Sequence, residues 1–111
     1  MAGDRGVNLV PARYSLNRLD KLILILKETR TYLALEGNDY SWSSWRDADQ
    51  AVSEIDSIIA DLKNDSVPDI GVLFAPTGPI QEVSLSSGWG NEFLELADRF
   101  EKEYETVKSQ S

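Results

Sequence analysis

Between positions 45 and 62 the apolar residues Trp45, Ala48, Val52, Ile55, Ile59 and Leu62 recur at alternating steps of three and four, while Asp47, Glu54 and Asp61 stand seven apart on a different face. Steps of three and four bring helical side chains to one side, so this window reads as an amphipathic helix with one packing face and one acidic face. Such a helix draws most of its stability from burying its apolar stripe, so the rest of the chain must supply a surface to cover it. Ser44 with Asp47 forms a reduced capping box at its start, and Ser41 is the alternative cap. Residues 63–69, with Asn64, Asp65, Ser66 and Pro68, carry turn chemistry without periodicity and end the helix.

The covering surface begins upstream. Ser15 is placed to cap a helix running to Ala34 or Glu36, with Leu16, Leu19, Leu22, Ile23, Leu26 and Leu33 on one broad face. Leu24 and Ile25 extend the apolar set around this helix, which predicts cover on more than one side and a central position in the fold. A buried strand over 21–27 is the competing assignment, but the periodic flanks exceed strand length and contain good helix formers such as Lys27, Glu28 and Arg30. Gly37 followed by Asn38 suits a left-handed stop.

From 70 to 85 the period shifts towards two. Ile70, Val72 and Phe74 would share one face, Pro76-Thr77-Gly78-Pro79 would turn, and the chain would return with Val83 and Leu85 on one face, which predicts a β-hairpin. Two strands alone are marginal in water, so the hairpin should lie on the helices, pair with residues 7–10, or pair with a second copy of the chain. Residues 86–91 then break the strand and lead into a last helix with Phe93, Leu96, Ala97, Phe100, Tyr104 and Val107 as its buried stripe. The order predicts an α+β fold: two N-terminal helices, a β-hairpin and a C-terminal helix, with a small antiparallel sheet packed on helices. The expected organisation is an N-terminal segment over 1–14 offering an extra edge strand, a single α+β domain over 15–107, and a frayed tail over 108–111.

Composition narrows the chemistry. The 111 residues include no Cys and no His, which removes disulfides, thiolate and imidazole nucleophiles, and the commonest ligands of zinc, copper and iron. Catalysis then falls to carboxylate, Lys or Tyr groups, and a non-enzymatic role becomes the leading expectation, with no cofactor and no metal. Asp61 and Asp65 stand one helical turn apart but two carboxylates are not a cage, and Val67 occupies a position where a calcium loop needs oxygen. Gly88-Trp89-Gly90 resembles the opening of a dinucleotide fingerprint, yet Phe93 replaces the third glycine and too little chain remains for a βαβ unit.

The net charge of -8 is unevenly placed: residues 1–40 hold six Lys and Arg against five Asp and Glu, while residues 41–111 hold five against fourteen. That surplus repels phosphate backbones and anionic lipid, which argues against nucleic-acid and membrane partners and towards another protein, a basic one in particular. The longest aliphatic run, Leu22 to Leu26, is far short of the roughly 20 apolar residues of a membrane span, and no secretory signal pattern precedes it, so a cytoplasmic location is expected.

The strongest candidate surface is the junction around Trp42 and Trp45. Large aromatics among small polar residues anchor partners well, because they bury much area while losing few rotamers; the competing reading is that the rings plug the end of the core. Trp45 begins the core stripe and Trp42 falls off its centre, so Trp42 is expected at the surface, with Asp39, Tyr40, Ser41, Ser43 and Arg46 as a polar rim. Three functions follow from these residues: a small acidic protein-binding module, such as an accessory subunit or an inhibitor of a basic toxin; an enzyme or small-ligand protein with Asp39, Tyr40, Arg46 and Thr77 around a pocket closed by Trp89; and a structural homodimer built by pairing hairpin edges.

Overall fold

The computed structural model describes residues 19–75 and 78–109, and these form four helices: α1 (Asp20–Leu33), α2 (Ala48–Lys63), α3 (Pro79–Ser87) and α4 (Gly90–Ser109). The first helix is the shared neighbour, packing against both α2 and α4, while α3 packs on α4. Its buried residues Leu22, Ile23, Ile25, Leu26, Thr29 and Leu33 form one broad face, a little under half of its circumference, whereas Leu24 faces outward at 54% exposure. Thr29 is accommodated because its Oγ1 donates to the Ile25 carbonyl at 2.8 Å, one turn back.

The stripe of α2 is buried at Ala51, Ile55, Ile58, Ile59 and Leu62. Its cap is Asp47, rather than Ser44 or Ser41: the carboxylate accepts from the Gln50 amide at 2.9 Å, while the Gln50 side chain reaches back to the Arg46 amide at 2.6 Å. The helix ends in a paired closure in which the Asp65 amide donates to Leu62 and the Ser66 amide to Asp61, with Asp65 left-handed at φ 61. Two bidentate ion pairs tie the layer together, Arg30 to Asp56 between α1 and α2, and Arg99 to Glu28 between α4 and α1.

The α+β expectation fails, because no strand occurs among the described residues and the segment expected to be a β-hairpin is a series of turns followed by α3. Ile70, Leu73 and Phe74 are buried and Val72 is 69% exposed, a helical rather than alternating pattern, and amides of Leu73, Ala75 and Gly78 each bond the carbonyl three residues earlier. Pro79 then starts α3, where its fixed φ favours a helix and its missing N–H is not needed. The stripe of α3 is Ile80, Val83 and Ser84, with Ser84 Oγ satisfied by the Gln81 carbonyl, and Leu85 points outward. Gly78 is required at the turn, since a Cβ there would lie 2.7 Å from the Val72 carbonyl oxygen. Homodimerisation through hairpin edges therefore has no element to act on among the described residues, where the regular secondary structure is all helix.

Gly88, left-handed at φ 90, separates α3 from α4. The fourth helix buries the stripe expected of it, Phe93, Leu96, Ala97, Phe100, Tyr104 and Val107, and Phe74 stacks on Phe93 and Phe100 while Phe100 stacks on Tyr104. It runs through Ser109, two residues into the expected tail. The N-terminal segment, the Ser15 cap, Leu16 and Thr77 lie outside the described residues. Among the described residues no helix is long and apolar enough to cross a membrane.

Candidate functional site

The connection from α1 to α2 is fixed by side chains. Asn38 donates through Nδ2 to the carbonyls of Tyr32 (2.8 Å), which also accepts from the Leu35 amide, and Leu33 (3.2 Å), both at the end of α1. The Tyr40 hydroxyl also donates to Leu33, and burial pushes the Tyr40 phenol above its usual range, so it remains a protonated donor. The Asp39 amide reaches across to Ser87 Oγ on α3 at 2.8 Å. Its carboxylate accepts from the Ser41 amide at 2.8 Å, and hydrogen bonding from Ser41 holds it below the ordinary aspartate range.

This bracing carries Trp42 outward, with 74% of its surface in solvent. Immediately after it, Ser43 accepts from the Trp45 amide and donates to the Pro79 carbonyl, pinning the loop to the start of α3. Trp45 turns the other way: its ring is buried, and its Nε1 donates to Glu54 on α2 at 3.1 Å. One tryptophan of the junction is thus a core plug and the other is presented to solvent.

Tyr40 and Arg46 line a shallow depression of about 420 Å³ together with Leu35 and Asp47, and on the far side of Arg46 a polar depression is lined by Asp47, Asp49 and Glu54. Asp39 lines neither. Trp89 is buried, stacked on Tyr32 at 5.1 Å between ring centres, with its Nε1 donating to Asn38 Oδ1, so it closes the core rather than a pocket. Of the residues assigned to an enzymatic pocket, Tyr40 and Arg46 come together, while Asp39 and Trp89 stand elsewhere and Thr77 is outside the described residues. The carboxyls whose acidity is altered, Glu28, Asp39 and Asp56, are all shifted towards the ionised form by hydrogen bonds, unlike a general base tuned upward by burial.

Asn38, read from the sequence only as part of the Gly37-Asn38 helix stop and not as a site residue, organises the junction by joining the end of α1 to Trp89. A capping role after Gly37 was the available signal; the partner 51 residues away was not. Among the described residues no group of three His, Cys, Asp or Glu side chains is arranged to hold a metal ion. No family model, no curated protein and no solved structure matches this chain.

Proposed function

We propose that this is a small acidic protein-binding module whose anchor is Trp42, with a basic protein as its partner. The observation that carries the reading is an indole 74% exposed on a loop already held by the Asp39, Tyr40 and Ser43 hydrogen bonds. A preorganised loop loses little further entropy on association, so the area buried by the ring goes largely into affinity. The acids Asp47 and Asp49 at the start of α2 and Glu54 further along it lie near Trp42 in sequence, and the whole chain carries a net charge of -8, which favours a cationic surface and speeds its encounter.

Affinity capture from the native host with wild-type and Trp42→Ala bait, at low and high salt, tests this. The expected partner binds about thirtyfold more weakly to Trp42→Ala, the value of a strong hot spot, and dissociates more readily as salt rises. Complexes indifferent to both changes would remove Trp42 as the anchor and charge as the steering force.

A further inference from the structure

Trp42 sits in a tight turn rather than an open loop. The Ser43 amide donates to the Tyr40 carbonyl at 3.1 Å, so Ser41 and Trp42 are the two central residues of a β-turn. Both ends of that turn are fastened to one helix. Before the turn, the Asp39 amide donates at 2.8 Å to Oγ of Ser87, the last residue of α3. After it, Ser43 Oγ donates at 3.4 Å to the carbonyl of Pro79, the first residue of α3. The segment from 39 to 43 therefore runs beside α3 in the opposite direction, and the nine-residue helix serves as its splint. That splint is itself fixed, because Ile80, Val83 and Ser84 are buried and Gly88 closes the helix in a left-handed conformation.

The two fastenings are unequal. The Ser43 bond is long, and it comes from a side chain whose oxygen also accepts from the Trp45 amide. The Ser87 bond is short and engages a backbone amide, which constrains the main chain directly. Its effect is passed on, since the Asp39 carboxylate accepts from the amide of Ser41, the residue before Trp42, at 2.8 Å. The Tyr40 hydroxyl bond to Leu33 places a side chain on α1 and does not engage the main chain of the turn.

We propose that Ser87 is the positioning residue for Trp42: through Asp39 it holds the turn in the one conformation that presents the ring, with α3 as the rigid support. This rests on the reading of Trp42 as the anchor, and adds to it a residue remote in sequence that makes the anchor preorganised.

The test is nitrogen-15 relaxation and amide hydrogen exchange on the full chain, with Ser87→Ala set against Ser86→Ala. Ser86 is the exposed neighbour on the same helix, and alanine forms helix better than serine, so neither change weakens α3. The amides of Ser41 and Trp42 should have order parameters of about 0.8 in wild type and about 0.6 in Ser87→Ala, while α3 stays rigid. The Asp39 amide should exchange about tenfold faster, the worth of one hydrogen bond. Ser86→Ala should leave these values unchanged. In affinity capture, Ser87→Ala bait should hold the wild-type partner about fivefold more weakly, the cost of ordering the turn on binding. Added to Trp42→Ala, the same substitution should cost nothing more, because Ser87 acts only through the ring it places. Unchanged order at Ser41 and Trp42, an equal effect from Ser86→Ala, or an undiminished loss in the Trp42→Ala background would overturn the proposal. If Trp42→Ala alone leaves capture intact, the anchor reading fails, and with it the role assigned to Ser87 in binding, while the relaxation data still decide whether Ser87 holds the turn.

Discussion

The indole nitrogen of Trp89 donates to Asn38 Oδ1 at 3.1 Å, and Asn38 spends its amide hydrogens on the Tyr32 and Leu33 carbonyls. One side chain thereby closes the end of α1 and fixes the residue that introduces α4. Asn38→Ala would leave the indole N–H without its acceptor, while the Tyr32 and Leu33 carbonyls keep the Leu35 amide and the Tyr40 hydroxyl, and should cost about 1–3 kcal/mol. Asn38→Asp keeps an acceptor but loses both donors and sets a negative charge at a helix C-terminus, so it should also destabilise. Urea denaturation followed by circular dichroism checks both, and equal midpoints with wild type would show that the bonds contribute nothing net.

Trp42 should be silent for stability and dominant for solvent access. Its ring is exposed while Trp45 and Trp89 are buried, so acrylamide should quench one fluorescent component readily and leave the remainder shielded. Trp42→Phe should remove the accessible component and change unfolding free energy by less than about 0.5 kcal/mol.

Asp65 occupies the left-handed position that closes α2, a conformation that favours glycine, and it places a negative charge at a helix C-terminus. Asp65→Gly relieves both, against the extra chain entropy that glycine brings to the unfolded state. The expected net gain is ~0.5–1 kcal/mol, seen as a Tm raised by a few degrees.

Glu28 and Asp56 are held below their ordinary carboxyl ranges by hydrogen bonds from Arg99 and Arg30. The unfolded chain therefore takes up these protons at higher pH than the folded one, so the two groups add stability above the unfolded values of about 4 and lose it as pH falls through the folded ones. Unfolding free energy should fall below about pH 4, and the double variant Glu28→Gln, Asp56→Asn should show a shallower fall. The variant is the needed reference, because acid also relieves repulsion within a chain of net charge -8. Both pairs are half exposed, so added salt should shrink the difference.

The sequence made α2 and α4 legible because each repeats its apolar step over several turns, long enough for a period of 3.6 to separate from a period of two. The short α3 gave no such length. Over nine residues, Ile80, Val83 and Ser84 form a helical stripe in which one member is a serine, while Val83 and Leu85 mimic alternation. The polar residue hid the true stripe, and the exposed Leu85 supplied the false one. At the junction, Trp45 was legible as core because it leads the α2 stripe, and Trp42 as exposed because it falls outside it. What could not be read were relations set by tertiary register: Asn38 under Trp89 and Ser87 against Asp39. Each joins residues far apart in the chain, which periodicity does not register.

Because α2 and α4 both rest on α1, the first helix acts as a common keel. Its interior amides should be the last in the molecule to exchange with deuterated solvent, since opening them requires both neighbours to let go at once.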